Sequence, residues 1–280
     1  MIDAQPPLRI AIAQQAMHWT TAENAACIVA SLAVAAEQGA SVCVFPELAL
    51  TGFHRGIREQ ADPALVGAAM QNVQAACRTQ GIACALGVPT FAGDGAVLNS
   101  FVFIDARGSI IWTVSKNGLT PAEQTFFKAG AGRPVMRFEG RVCTAVMCRE
   151  IEDLEAIAAQ LAAERVDLIF WPSLVGNPPG TITEPERAEQ DLGYLRRTGE
   201  LAQRLDAFVV QSNWPNALNT PASTYLGESK AYAPSGEVLL TLPRDEAGVG
   251  VFTLGERDGV RDCVRDYSWT KLERMEAVPR

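Results

Sequence analysis

The stretch TAVMCREIED, residues 144–153, passes from apolar residues directly into charged ones and presents Cys148 at the junction. The stretches VFPELALTGF and VSKNGL have the same form and present Glu47 and Lys116. Short apolar runs of this kind are typical of buried strands, so each reactive side chain is expected at a strand end. A carboxylate, an ammonium and a thiol are the base, electrophilic stabiliser and nucleophile that acyl transfer at a C–N bond requires.

Around these stretches, apolar runs of strand length alternate with longer segments of helical period, which is typical of an α/β protein. A helix is predicted to begin after Thr20, where Glu23 completes a capping box, and to end at Gly39. A second helix is predicted over residues 63–79 and ends at Gly81. The predicted strands and hairpins are LRIAIAQQ, SVCVFPE, IACALGVPT, VLNSFVFID with SIIWTVSK, PVMRFEGRVCTAVMC, DLIFWPS, AFVVQSNW, ESKAYAPSGEVLLTLP and GVGVFTL.

The chain is predicted to form two pseudo-equivalent halves, because the order of strands and helices is similar before and after about residue 130. No linker rich in Gly, Ser or Pro separates the halves, so a single domain over residues 1–280 is expected. Residues 257–280 are charged and aromatic without a clear period. We expect this segment to form a C-terminal tail that packs on a partner subunit or on its own chain.

Composition narrows the possible functions. With 280 residues, 48% of them apolar and 20% charged, the chain can bury a large core. A net charge of −8 provides no basic surface for nucleic acid or an anionic membrane. No window approaches the ~18 consecutive apolar residues of a membrane span, and the amino terminus lacks a signal-peptide pattern. We therefore expect a cytoplasmic protein whose partner is a small molecule.

The cysteines and histidines give no sign of a metal site. The seven cysteines are odd in number and include no CxxC pair, which predicts reduced thiols. His18 and His54 have no ligand-type neighbours at zinc spacing. We expect neither a metal nor a cofactor.

Several strings, in order along nearly the whole chain, resemble the nitrilase or carbon-nitrogen hydrolase superfamily. FPELALTGF is similar to the segment around the family's catalytic glutamate, and Lys116 is followed by E-x-x-x-F-x-x-G from Glu123 to Gly130. VMC at 146–148 stands where the family places its nucleophile, and VVQSNW, GES at 227–229 and APSGEVL follow in the family's order. The resemblance implies a four-layer α-β-β-α sandwich and a homodimer or larger assembly.

The resemblance also implies roles for four residues. Glu47 is the expected general base, Lys116 the oxyanion stabiliser, Cys148 the nucleophile, and Glu123 a second carboxylate that holds the lysine in place. The chemistry of the residue types agrees, because a cysteine of ordinary pKa, about 8.5, is only a few per cent thiolate at neutral pH and needs a base for fast attack. The backbone N–H of Arg149 is a second candidate donor to the oxyanion.

Five residues are the expected substrate contacts: Phe53, His54, Arg149, Trp171 and Asn213. Trp171 lies at a strand end, where it can line an acyl pocket. Arg149 follows the nucleophile, and Arg55 lies in the loop after Glu47; relatives usually carry other residues at both places. Our hypothesis is that one of the two arginines binds a substrate carboxylate. His54 is an alternative base for the cysteine, although no third group that would orient it is evident.

The leading functional prediction is a hydrolase of a small amide or carbamoyl compound that works through a cysteine thioester and releases ammonia or an amine. A nitrilase and an acyltransferase could use the same three groups. Cys-Arg-Glu replaces the Cys-Trp-Glu string of the nitrile-cleaving branch, which favours an amidase or carbamoylase. GESKA at 227–231 lacks the second glycine of a serine nucleophile elbow, so the sequence does not favour an enzyme with a Ser-His-acid triad. A catalytically silent relative that binds a metabolite is the non-enzyme alternative.

Overall fold

The structure is a computed structural model that describes residues 7–176, 183–223, 226–257 and 260–272. The strands within these ranges are β1 Leu8–Gln14, β2 Val42–Val44, β3 Ala83–Phe91, β4 Val97–Ile104, β5 Ile110–Ser115, β6 Met136–Phe138, β7 Arg141–Ala145, β8 Leu168–Ser173, β9 Phe208–Asn213, β10 Lys230–Tyr232, β11 Val238–Thr241, β12 Gly248–Arg257 and β13 Val260–Lys271. The helices are α1 Thr21–Glu37, α2 Ile57–Gln60, α3 Pro63–Gln80, α4 Leu154–Leu161 and α5 Glu184–Leu205, with 3₁₀ turns at Glu123–Thr125 and Cys148–Asp153.

The strands form two sheets with the same pattern of pairing. The first has the order β13-β12-β1-β2-β3-β4-β5, and the second has the order β6-β7-β8-β9-β10-β11. From β12 to β5 the neighbours pair antiparallel, parallel, parallel, antiparallel and antiparallel. From β6 to β11 the second sheet repeats this series. The repeat confirms the two pseudo-equivalent halves predicted from the sequence.

The two sheets face each other across an apolar core. Ile10, Val44 and Phe103 of the first sheet meet Phe170 and Val210 of the second. The rings of Phe103 and Phe170 lie 5.7 Å apart, centroid to centroid, within the range of favourable aromatic contacts. Because successive side chains of a strand point to opposite faces, strands buried on both faces read as continuous apolar runs.

Helices cover the outer face of each sheet and complete the four-layer sandwich. Ile28 of α1 and Val73 of α3 pack with the outer side chains of the first sheet, such as Cys43. Ile157 of α4 and Leu201 of α5 do the same on the second sheet. In the described part of the chain, no helix is both long and apolar enough to cross a membrane.

The helix ends follow the predicted signals. Thr20 caps α1 in a complete capping box with Glu23, and Gly39, at φ +74°, follows directly after the helix. Asp62 caps α3 by accepting from the first-turn amides, and Gly81 ends that helix in the left-handed region at φ +66°. The predicted bounds of both helices agree with the structure to within two residues.

The segment that we expected to be a tail is largely a strand. Residues 260–271 form β13, which pairs antiparallel with β12 along the edge of the first sheet. Val264 and Trp269 pack against the core between the sheets and, with the pairing to β12, hold this mostly polar strand. Residues 258–259 and 273–280 of the predicted tail lie outside the described residues, and its contact with a partner subunit stays a prediction.

Candidate active site

The acid, lysine and thiol meet at the ends of strands from both sheets. Lys116 Nζ lies 2.7 Å from Glu47 Oε1 and 2.6 Å from Glu123 Oε1, and all three side chains are buried. The charges of Glu47, Lys116 and Glu123 all act on the Cys148 thiol, which lies beside them. The first sheet thus supplies the acid and the lysine, and the second supplies the sulfur.

Glu47 is delivered by a tight loop that crosses strand β3. Leu48 has φ +52°, and its backbone nitrogen would lie 2.0 Å from a Cβ placed on Gly87. Only glycine permits this approach, and the amide of Gly87 donates to the carbonyl of Pro46 at 3.2 Å. The indole N–H of Trp214 donates to the carbonyl of Glu47 at 2.9 Å. These contacts fix the backbone that carries the carboxylate.

Lys116 leaves the end of β5 with both of its backbone groups bonded. Its N–H donates to the carbonyl of Asn99 at 2.8 Å, and its carbonyl accepts from Gly130 N–H at 2.8 Å. Glu123 lies in the 3₁₀ turn that follows, and its Oε2 accepts from the amide of Thr120 at 2.8 Å. Both oxygens of Glu123 are therefore bonded, one to the ammonium of Lys116 and the other to the amide of Thr120.

Cys148 begins a 3₁₀ turn two residues after the end of β7 and has an unusual backbone conformation. Its φ is +48°, in the left-handed region that residues other than glycine seldom adopt. The indole N–H of Trp171 donates to its carbonyl at 2.9 Å, and its Sγ lies 3.8 Å from the carbonyl oxygen of Leu174. The sharp turn projects the sulfur from the strand end while Trp171 holds the backbone.

Glu150, which the sequence analysis did not assign to the site, connects the cysteine turn to the lysine loop. Its carboxylate accepts from the amides of Met147 at 2.7 Å, Asn117 at 2.7 Å and Gly118 at 3.0 Å. The guanidinium of Arg133 completes the buried cluster at 3.2 and 3.3 Å. Met147 precedes Cys148 and Asn117 follows Lys116, so one carboxylate links the two segments.

Burial and neighbouring charges set the protonation of the site. Burial, reinforced by the Glu47 charge and opposed by Lys116, raises the pKa of Cys148 to about 12, so the resting sulfur is a neutral thiol at pH 7. Burial also raises the pKa of Glu47, although the ammonium of Lys116 opposes this. Burial would lower the pKa of Lys116, but the charges of Glu47 and Glu123 outweigh it and raise that pKa. The lysine therefore stays cationic, and the thiol needs a base.

Phe53 and His54 are held within the first sheet's loops. Phe53 is half-buried and packs against the apolar cluster that contains Leu48. His54 is buried, with Nε2 3.1 Å from the carbonyl oxygen of Thr51 and Nδ1 accepting from Gly56 N–H at 3.1 Å. The ring is therefore the Nε2–H tautomer. Both ring nitrogens are used inside its own loop, which leaves neither as a base for the thiol.

The remaining expected contacts also have partners in the protein. Arg149 forms a two-pronged ion pair with Asp153, at 3.1 and 3.0 Å, on the surface of the cysteine turn. Arg55 lies over the ring of Trp19, 5.0 Å from its centroid. Asn213 accepts from the amide of Val175 at 2.8 Å and donates to the carbonyl of the same residue at 2.9 Å. Asn213 thereby shapes the loop after β8.

A cavity of about 230 Å³ is lined by side chains of the second sheet and of α5, and none of Glu47, Lys116, Glu123 and Cys148 lines it. Trp171, which holds the Cys148 carbonyl, forms part of its wall together with Val175, Tyr194 and Asn213. Its mixed apolar and polar lining suits a small organic group. Within the described ranges, no group of three or more His, Cys, Asp or Glu side chains could hold a metal ion.

The family match defines the class of this protein, a hydrolase of carbon–nitrogen bonds. The family model for carbon-nitrogen hydrolases matches residues 9–257, and the chain belongs to that family. No curated protein sequence matches the chain.

Solved structures of an amidase from Nesterenkonia sp. have the same fold. One structure of the amidase has a TM-score of 0.76 and 24% identity, covering 91% of this chain and 92% of that one. A double mutant of the Nesterenkonia sp. AN1 amidase in complex with acrylamide has a TM-score of 0.76 and 23% identity, covering 90% and 92%. A third structure, with covalent addition of the acetamide moiety of fluoroacetamide at the active-site cysteine, has a TM-score of 0.76 and 23% identity, covering 94% and 95%.

Proposed function

We propose that this hydrolase cleaves the C–N bond of a small amide or carbamoyl compound through a thioester on Cys148. The observation that carries the proposal is the buried Glu47–Lys116–Glu123 cluster beside that thiol. Glu47 Oε1 is bonded, whereas Oε2 is buried and has no partner among the described residues. A buried carboxylate with one free oxygen is suited to accept the proton of a neutral thiol.

In the first half-reaction, Cys148 Sγ attacks the carbonyl carbon as its proton passes to Glu47. The negative charge that develops on the carbonyl oxygen is stabilised by Lys116 Nζ and by the backbone N–H of Arg149. The intermediate then breaks its C–N bond. The departing nitrogen takes the proton from Glu47, and the acyl group remains on the sulfur as a thioester.

In the second half-reaction, Glu47 removes a proton from a water molecule that attacks the thioester. The oxyanion forms at the same place, so the same two donors stabilise it. Breaking the C–S bond releases the acid, and the proton returns to the sulfur. Glu123 keeps the ammonium in position throughout, because it contacts Lys116 and both of its own oxygens are bonded.

A small acyl group is part of the proposal. The amidases of like fold support this choice, since one is described in complex with acrylamide and another with butyramide. A homodimer or larger assembly, which the family resemblance implies, is also proposed and can be measured by light scattering.

Ammonia release tests the proposal directly. Purified protein is incubated with short aliphatic amides, carbamoyl compounds and the matching nitriles, each with and without added hydroxylamine. We expect ammonia from amides or carbamoyl compounds, with the acid as the main product in the absence of hydroxylamine. Cys148→Ala should abolish release, whereas Cys27→Ala, a half-buried cysteine on α1, should retain it. Turnover that survives Cys148→Ala would contradict the proposal, and activity on nitriles alone would indicate a nitrilase.

A further inference from the structure

Asn99 contacts three residues of the site, namely Glu47, Lys116 and Glu123, although its own side chain is uncharged. It lies on β4 and is fully buried. Its Nδ2 donates to Glu47 Oε1 at 2.8 Å and lies 3.4 Å from Glu123 Oε1. Its backbone carbonyl accepts from the amide of Lys116 at 2.8 Å. No other side chain among the described residues bonds to both carboxylates except that of Lys116.

The two carboxylate oxygens of Glu47 differ in their hydrogen bonds. Glu47 Oε1 receives two donors, Lys116 Nζ at 2.7 Å and Asn99 Nδ2 at 2.8 Å. Oε2 is buried and receives none from the described residues. Two donors on one oxygen hold the carboxylate plane, because rotation about the terminal bond would break both hydrogen bonds. The free oxygen is thereby kept in one place.

The Asn99 amide supplies a hydrogen bond to the cluster without changing its charge. Two carboxylates face a single ammonium, so the cluster carries a net negative charge when all three groups are ionised. The Asn99 amide adds a hydrogen-bond donor near both carboxylates without adding charge. A hydrogen bond to the ionised form favours that form, which opposes the effect of burial on Glu47.

We propose that Asn99 is a positioning residue of this hydrolase, which anchors Glu47 Oε1 so that Oε2 stays free to exchange protons with Cys148 and water. This inference rests on the proposed function of the Glu47–Cys148 pair. It assigns to Asn99 a role that acts through the base and not through contact with the substrate.

The test compares Asn99→Ala with Ser100→Ala, its neighbour on the same strand. Ser100 is also buried, but it faces the opposite side of the sheet and bonds to Thr90 and Ser115 at 2.6 and 2.9 Å. For a short amide, Asn99→Ala should lower kcat by about 10- to 100-fold, the loss expected for one hydrogen bond to a charged group. KM should change by less than about threefold, since uniform substrate binding is untouched. The acidic limb of the kcat/KM profile should move up by about one pH unit. Ser100→Ala should leave that limb in place.

A second readout separates this inference from the proposed function. The rate at which iodoacetamide alkylates Cys148 is measured against pH by peptide mass spectrometry, which needs no turnover. Asn99→Ala should shift this profile to higher pH in the same way. If wild-type protein releases no ammonia but the alkylation profile shifts, the proposed function fails while the role of Asn99 stands.

Asn99→Asp keeps the size of the side chain and places a third carboxylate against the other two. Its acidic limb should move at least as far as that of Asn99→Ala, because like charges disfavour ionisation of Glu47. Unchanged profiles in folded Asn99 variants, or equal shifts in Ser100→Ala, would overturn the proposal. Failure of both Asn99 variants to fold, judged by circular dichroism, would overturn it too, because it would indicate a purely structural residue.

Discussion

Substitution of Glu150 by Gln should lower the free energy of unfolding more than the same substitution at any exposed glutamate. Whichever way the amide is turned, its NH2 group faces either the N–H of Met147 or the N–H groups of Asn117 and Gly118. A buried donor left without an acceptor costs about 1–3 kcal/mol. The buried Arg133 also loses its counter-charge, and breaking a buried pair typically costs about 3–5 kcal/mol. Because Arg133 keeps its bond to the Ala145 carbonyl, we expect a total loss of about 4 kcal/mol.

The assay is equilibrium unfolding in urea, followed by tryptophan fluorescence. Since domains commonly have only about 5–15 kcal/mol of stability, a loss of this size should move the midpoint far to lower urea. Glu155→Gln is the matched control, because Glu155 is exposed and its ion pair with Arg204 lies on the surface. That variant should stay within about 1 kcal/mol of wild type. Equal midpoints for the two variants would refute the view that Glu150 holds the cysteine turn to the lysine loop.

Three further changes have defined outcomes. Gly87→Ala should lower both the stability and kcat, because the added methyl would lie 2.0 Å from Leu48 N and push the Glu47 loop away; unchanged kcat in the folded variant would contradict this. In wild type, kcat/KM should fall as acid protonates Glu47, with a midpoint above the ordinary glutamate value of 4.5, and a midpoint below that value would contradict the raised pKa. Trp171→Phe should lower kcat by about tenfold through loss of the 2.9 Å bond to the Cys148 carbonyl, whereas an unchanged kcat would show that the turn holds itself.

Local sequence signals were sufficient to predict much of this fold. The Thr20 capping box and the Gly81 stop depend on neighbouring residues only, and both predictions are confirmed. The paired halves were also predictable, because the order of elements is itself a sequence property. The edge strand β13 was not predicted, since its place depends on pairing with β12 and its polar residues show no strict alternation.

The structure brings together the reactive groups that the sequence indicates, whereas the residues that contact and support them carry no sequence signal. Glu47, Lys116 and Cys148 each stand at the end of an apolar run, a signal that one sequence contains. Asn99 and Glu150 have no such signal, because each contacts a residue that is distant in the sequence. Asn99 is 52 positions from Glu47, and Glu150 is 33 positions from Asn117. The ion pair of Arg149 with Asp153 could have been anticipated from its i, i+4 spacing, but only once the segment was known to be helical.

Detection of the thioester tests most directly whether Cys148 is the nucleophile. Protein quenched in acid during turnover of a short amide is digested with trypsin, which releases residues 142–149 as a single peptide that contains both Cys143 and Cys148. We expect this peptide to gain the mass of the acyl group, and fragmentation to place the gain on Cys148 and not on Cys143. An acyl group on any other residue would contradict it, as would a peptide that stays unmodified while an acyl-enzyme burst is measured.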